Sequence, residues 1–366
     1  MSKITISQWD ENKFSNSQDE WNELLANSNV DQLFLSWEWQ YTWWQVFAIP
    51  SQMQLCLLVA TDDENNLVGI ASLYLSTVTA AKFLKVRRLQ FIGNCWRTRD
   101  TMRTELLDFI TLKSRSTEIT RSLFEYLRNS KEWDEFIIAG LREDSETYHI
   151  LSHESALPGC YLRRAESYPS YYLSTKGNFA DYLNSLGKNT RLRLFNRRKI
   201  LESLGRTIFS VDHENIDNNF ELLNKLHLMR WGYPAFSKQR LEFNKKVATL
   251  LSARNGLCFS KLSVNNSPIS IQYNYEISNH VYNIQGGFDD TIHHKLAPGY
   301  LHFGYVIERA FNNETTCYDF LAGEGKNTPY KENLTEKKLD IVDMQVIRNK
   351  LLKILYTAYE LVKTNE

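Results

Sequence analysis

The sequence predicts two mixed α/β domains of one design, and three observations carry that reading. A hairpin script occurs twice: Leu55-Cys56-Leu57-Leu58-Val59-Ala60 turns at Asn65-Asn66 into Ile70-Ala71-Ser72-Leu73-Tyr74-Leu75, and Leu257-Cys258-Phe259-Ser260-Lys261-Leu262 turns at Asn265-Asn266 into Ile269-Ser270-Ile271-Gln272-Tyr273-Asn274-Tyr275. Each hairpin leads to a further strand, a helix and a closing strand, Phe136-Ile137-Ile138-Ala139-Gly140 in one copy and Phe320-Leu321-Ala322-Gly323 in the other. That order makes the last two strands parallel and joins them by a right-handed crossover. Finally, 366 residues exceed the size at which one core stops growing. The junction is placed between residues 157 and 158, because 152–159 carry turn formers and weak periodicity.

Composition narrows the function. Lys+Arg and Asp+Glu balance at 43 each, which argues against a general nucleic-acid or membrane-coating role. Hydrophobic residues at 43% and aromatics at 13% supply two cores. No apolar run approaches the roughly 18 residues of a membrane span, and residues 1–10 lack a basic leader, so a cytoplasmic protein is expected. Cys56, Cys95, Cys160, Cys258 and Cys317 are odd in number and lack metal-ligand spacing, which reads as reduced core thiols and no metal. Cys258 and Cys317 have no histidine near them in sequence, so neither is expected to be a nucleophile.

Taken in order, residues 21–47 read as helix, short extended piece and a second helix, with Trp39 and Trp43 at i,i+4 marking a buried stripe. Residues 78–94 read as a strand with a basic approach, without a counterpart in the second copy. Residues 106–112, 118–129 and 134–139 follow as strand, crossover helix and closing strand. The second half opens on Tyr171-Tyr172-Leu173 and a helix over 179–186. Residues 188–199 then carry six basic and no acidic side chains. At 100° per residue Lys188, Arg191, Arg198 and Lys199 share one face, opposite Leu194, Leu201 and Leu204. A solvated face and an anion-binding face remain equal readings of that segment. Helices over 220–231 and 241–251, the hairpin, a strand over 281–288, a helix over 300–311 and a closing strand over 318–322 complete the domain. An amphipathic helix over 342–362 is assigned to it as well.

Chemistry concentrates in the second copy. Pro298-Gly299 suits a helix start at which backbone N–H groups of Gly299, Tyr300 and Leu301 meet a phosphate. In the first copy Lys113-Ser114-Arg115-Ser116-Thr117 precedes the crossover helix with no glycine, so a phosphorylated cofactor is expected in the second copy alone.

The assembled pattern resembles the GNAT acyltransferase superfamily, specifically its tandem-domain CelD-like proteins associated with bacterial cellulose and exopolysaccharide synthesis. The residues that carry the resemblance are Leu226-His227-Leu228-Met229-Arg230-Trp231, Gly286-Gly287, Ala297-Pro298-Gly299-Tyr300-Leu301, and Tyr318-Asp319-Phe320-Leu321-Ala322-Gly323-Glu324 with Tyr330-Lys331. It implies tandem GNAT-like domains, 1–157 without cofactor and 158–366 as the acyltransferase. Each would be a mixed, mostly antiparallel sheet with one parallel β-α-β crossover and flanking helices. It implies acyl-CoA, as acetyl-CoA, lying between splayed strands against Tyr282, Ile284, Gly286, Gly287, Lys295, Gly299, Tyr300 and Leu301. The acceptor would be an amino sugar or sugar nucleotide near Arg191, Arg198, His227, Trp231 and Lys331.

Direct attack on a thioester needs a base for the nucleophile's proton and a donor for the departing thiolate. Glu324 and Asp319 are the acidic candidates and Tyr330 the phenolic one. Each also has a structural reading: Glu324 in a turn, Asp319 as an acceptor within the strand, Tyr330-Lys331 as a loop anchor, His227 as a hydrogen-bonded core residue. The phosphate loop departs from the family, since His294-Lys295-Leu296-Ala297-Pro298-Gly299 supplies one glycine and places Ala297 at the N-cap, where a hydroxyl is usual. Two other functions fit the same residues. A Fem-type transferase would take aminoacyl-tRNA as donor, gripped by 188–199, the one case in which a nucleic acid is expected. A non-catalytic module would bind a nucleotide sugar or a synthase partner.

Overall fold

The computed structural model describes residues 3–97, 101–154, 156–313, 315–322 and 329–363. The chain forms two compact units, Met1–Tyr168 with Asp340–Glu366, and Pro169–Leu339.

In the first unit β1 (Thr5–Trp9), β2 (Gln54–Thr61), β3 (Leu67–Ala80) and β4 (Leu84–Phe91) form an antiparallel run. The two-residue stub β5 (Ile110–Thr111) adds to β3, and β6 (Glu135–Arg142) lies parallel to β4. Helices α1 (Gln18–Ala26), α2 (Trp37–Trp43) and α3 (Ser116–Asn129) belong to this unit. The tryptophan stripe is core: Trp21, Trp39, Trp43 and Trp44 are all 0% exposed. Burying such rings supplies much of the apolar area that holds the unit together.

Here the structure corrects the sequence reading. The parallel partner of β6 is β4, so residues 78–94 do have a counterpart in the second copy. The segment 106–112 does not take that place, because Leu106 adopts a φ of 55° and Leu107 N donates to Gly140 O at 3.1 Å. A left-handed leucine breaks extended pairing, which leaves only Ile110–Thr111 as strand.

In the second unit the end of β7 (Tyr161–Ser174) is followed by α4 (Phe179–Ser185), β8 (Thr207–Asp212), α5 (Ile216–Trp231), α6 (Lys238–Ser252), β9 (Leu257–Val264), β10 (Ser267–Ile277), β11 (His280–Phe288), α7 (Pro298–Asn312) and β12 (Cys317–Leu321). The sheet order is β7-β12-β11-β10-β9-β8, with β11 and β12 the parallel pair. The β9–β10 turn uses Asn265 and Asn266 at φ 49° and 65°, left-handed values that asparagine tolerates. Phe220 of α5 packs edge-on against Phe259 and Tyr273, at 5.2 and 5.0 Å, on one face of the sheet. His302 of α7 sits on the other, between Ser260 and Ser270.

The chain then forms β13 (Lys338–Ile347), antiparallel to β6, and α8 (Lys350–Lys363), whose Leu352 and Tyr356 join Val86 and Leu84 of the first unit. The tail is therefore strand and helix rather than one helix over 342–362, and it belongs with the first unit rather than the second. Residues 341–347 are buried on both faces, and a short run buried all round gives no period by which strand and helix can be told apart.

Candidate active site of the second unit

Among the described residues, strands β11 and β12 pair at three positions, His280 with Cys317, Val281 with Tyr318 and Tyr282 with Asp319. Beyond them β11 continues beside β10 as far as Phe288, so the parallel strands part after Tyr282 and Asp319. A bulge lies at the same point: Tyr273 pairs with Gln285 and Asn274 with Asn283, leaving Ile284 unmatched. Bulges bend the strand that carries them and often adjoin active sites. Leu321 closes β12 at φ 57°, and Lys331 Nζ donates to the carbonyls of Leu321 and Ala322 at 2.6 and 2.9 Å. Among the described residues, 283–288 thus have no strand partner on the β12 side.

The floor of this cleft is polar. Asn283 Nδ2 donates to Asn274 Oδ1 at 2.7 Å and to Gln272 Oε1 at 3.4 Å, and the Tyr318 hydroxyl donates to Gln272 Oε1 at 3.2 Å. Asn274 is fully buried and its Nδ2 has no hydrogen-bond partner among the described residues. Sequence reasoning passed over this network. Its signal is the alternation Gln272, Asn274, Glu276 on the sheet face that α7 covers, where apolar residues are the norm.

Helix α7 starts beside the cleft. Among the described residues no side chain caps it, in keeping with Ala297 at the N-cap. Leu301 N donates back to Ala297 O at 2.9 Å and its side chain is 0% exposed, so of the three amides assigned to phosphate those of Gly299 and Tyr300 remain. A Cβ at Gly299 would stand 2.7 Å from Phe288 Cε1, so glycine there is set by close packing on the ring that ends β11. The Arg193 guanidinium lies 5.4 Å from the Tyr300 ring.

Residues 188–199 are not one helix. Lys188–Arg191 is α-helical, Leu192–Asn196 is a π-helical turn, and Arg198–Ser203 resumes the α-helix. The turn presses on α7 so closely that a Cβ at Gly304 would lie 2.1 Å from Leu194 O. The extra residue of a π turn rotates the succeeding helical residues by about 100°. Arg198 therefore leaves the face of Arg191: it pairs with Glu308 at 2.7 Å and covers the Tyr305 ring at 3.9 Å, a structural contact rather than a substrate one. Lys188, Arg191, Arg193, Arg197 and Lys199 carry no ion pair among the described residues.

Residues 188–332 match the family model described as an acetyltransferase (GNAT) domain. The second unit carries a GNAT-type acyltransferase domain. No curated protein matches the sequence. Among solved structures the chain is similar to FemX, at 10% identity and a TM-score of 0.62 over 96% of this chain and 99% of that one. It is also similar to the C-terminal domain of a putative lysylphosphatidylglycerol synthetase from Agrobacterium fabrum, at 7% identity and a TM-score of 0.53 over 95% and 96%. A third similarity is to L-PGS from Bacillus licheniformis, at 10% identity and a TM-score of 0.51 over 94% of each. At such identities these likenesses bear on the fold alone.

Within the GNAT domain the other candidates separate. Glu324 lies outside the described residues. Asp319 is 2% exposed, its Oδ1 accepts from Leu321 N at 2.7 Å and its Oδ2 lies 3.5 Å from His280 Nε2, so its carboxylate is already engaged. Tyr330 stacks on Phe303 at 5.8 Å, and burial pushes its phenol well above the usual tyrosine range, which holds it protonated. Lys331 is 5% exposed with its amine on two strand-end carbonyls, so it anchors the cleft wall rather than reaching a substrate.

Tyr282 is buried and stacked on His280, whereas Ile284 and Gly286 are half-buried at the cleft edge. Gly287 lies under Leu223 of α5, and Lys295 is exposed in the loop before α7. His227 is 6% exposed, with Nδ1 2.8 Å from Tyr233 O, the hydrogen-bonded core arrangement. Trp231 is 43% exposed beside Arg230, whose guanidinium lies 4.8 Å from Trp231 and 4.2 Å from Phe288. His293 and His294 stack on each other, and no metal-holding group occurs among the described residues.

Proposed function

We propose that the GNAT domain transfers an acyl group from a CoA thioester to the amine of an amino sugar or related polysaccharide precursor. The observation that carries this reading is the parting of β11 and β12 beside an uncapped helix start, within the segment that matches the acetyltransferase family. An acyl chain fits between separating strands, where backbone N–H groups of 283–288 can polarise a thioester carbonyl. The pyrophosphate would meet the amides of Gly299 and Tyr300, and the adenosine end the cations Arg191, Arg193 and Arg197. The amine nitrogen attacks the carbonyl carbon, the C–N bond forms and the C–S bond breaks. Glu324 accepts the nucleophile's proton, and the Tyr330 phenol supplies one to the departing thiolate. Trp231, exposed and rimmed by His227 and Arg230, offers a flat apolar face to a sugar ring.

A second reading rests on the unpaired cations of 188–199. Five of them, exposed or half-buried, suit a polyanion larger than CoA, and the donor would then be an aminoacyl-tRNA. Titration of the full chain with acetyl-CoA and with aminoacyl-tRNA at several salt concentrations separates the two. Saturable acetyl-CoA binding with thiol release in the presence of an amino sugar supports the first. Binding of tRNA alone, steeply weakened by salt, overturns it in favour of the second.

A further inference from the structure

The fold brings together a thiol, an imidazole and a carboxylate from two strands on one face of the second unit's sheet. Parallel pairing sets His280 opposite Cys317 and Tyr282 opposite Asp319. Alternate residues of a strand share a face, so all four side chains project to the same side. The His280 ring lies flat on Tyr282, 4.2 Å between centroids and 9° between planes, and its Nε2 is 3.5 Å from Asp319 Oδ2. Asp319 is itself fixed by the Leu321 amide. Cys56, Cys95 and Cys258 are buried, whereas Cys317 is partly exposed, as is Cys160 of the first unit.

Among the described residues, strand register places the following groups beside Cys317. His280 stands on the β11 side and Asp319 on its own strand, while β7 contributes Ser174 opposite Cys317 and Tyr172 opposite Asp319. His280 and Asp319 are thus the titratable side chains that the register sets beside Cys317.

We propose that Cys317 is a reactive thiol and a site of covalent modification by low-molecular-mass disulfides, with His280 as its charge partner and Asp319 as the group that orients His280. A protonated imidazole beside a sulfur favours the thiolate, the nucleophilic form. Burial alone would lower the His280 pKa, but its contacts with Asp319 and Cys317 outweigh that and raise it to about 10, so the imidazolium persists through neutral pH. The Cys317 thiolate attacks one sulfur of a disulfide RSSR. The bond between Cys317 and that sulfur forms, the original S–S bond breaks, and RS⁻ leaves with the electron pair. Cys317 is oxidised to a mixed disulfide and the leaving sulfur is reduced. The adduct stands two residues from the point where β11 and β12 part, so modification can be read at the cleft as well as at the sulfur.

The test uses the full chain and 5,5′-dithiobis(2-nitrobenzoate), with the labelled cysteine located by mass spectrometry. At pH 6.5 Cys317 should react at least about 10-fold faster than Cys160, and His280→Gln should remove that advantage. At pH 9.5, where an ordinary thiol near 8.5 ionises unaided, the variant and the parent should converge, which also shows that the variant is folded and its sulfur accessible. Equal rates for parent and His280→Gln at pH 6.5, or labelling confined to Cys160, overturns the proposal.

Discussion

Substituting Gly299 with valine places a Cβ 2.7 Å from Phe288 Cε1 and 3.1 Å from Cδ1 and Cζ of the same ring. Carbon atoms rest at about 3.5–4.0 Å, so the ring must retreat by roughly 1 Å. It is not at liberty to do so, because the Arg230 guanidinium lies 4.2 Å from it and that arginine is paired with Asp290. Overpacking of this kind costs about 1–3 kcal/mol. In a unit of this size each kcal/mol lowers Tm by roughly 2–4 °C, so scanning calorimetry should register a fall of roughly 2–12 °C. Adding Phe288→Ala removes the obstacle, and the double variant should be less destabilised than the sum of the two single changes. A Gly299→Val Tm equal to that of the parent refutes the packing argument. Donor affinity in the same proteins separates two roles for this helix start: weakening that persists in the double variant belongs to the Gly299 and Tyr300 amides, and weakening that disappears belongs to the displaced ring.

Changing Arg191 and Arg197 together to Gln should raise KM for the donor and flatten its salt dependence, whereas Arg198→Gln, which breaks the Glu308 pair, should lower Tm with the salt slope unchanged. Glu324→Gln should lower kcat by roughly 10²-fold with donor affinity retained, and Tyr330→Phe should slow turnover less; activity within about twofold of the parent in both would remove them from the mechanism. His302 is buried between two serines, and burial lowers its pKa to about 3. The folded state then binds fewer protons than the unfolded one below about pH 6.5, so stability present above that pH is lost as pH falls toward 3. Denaturant midpoints measured from about pH 7 to pH 4 should decline, and less steeply in His302→Asn.

The two hairpins were legible because Asn65, Asn265 and Asn266 mark left-handed turns between apolar runs, a local signal that tertiary structure does not override. The crossover of the second copy was legible for a similar reason, with Pro298 at its helix start and the extended run of β11 before it. Residues 106–112 misled because their apolar pattern suits a strand, while their conformation is set by a backbone hydrogen bond to Gly140 that sequence does not announce. The same holds for Arg198: helical phase assigns it to the cationic face, and a single π turn moves it against Glu308 and Tyr305. Asp319 was found as a polar residue on a buried strand, but its partner His280 lies in another strand and is joined to it by register alone. Sequence separation likewise concealed the neighbourhood of Cys317. Local chemistry and strand order were readable, and the side chains that meet across strands were not.

Binding stoichiometry of acetyl-CoA on the full chain, by isothermal titration, tests the central claim most directly. In the first unit the ends of β4 and β6 are bridged by the chain itself, with Asn94 bonded to Thr104 and Leu107 to Gly140, whereas the second unit opens after Tyr282 and Asp319. One acetyl-CoA per chain is therefore expected. Gly286→Leu should remove it without unfolding the protein, since a Cβ there meets nothing nearer than 3.7 Å. No binding, two sites per chain, or parental affinity in Gly286→Leu would contradict the account.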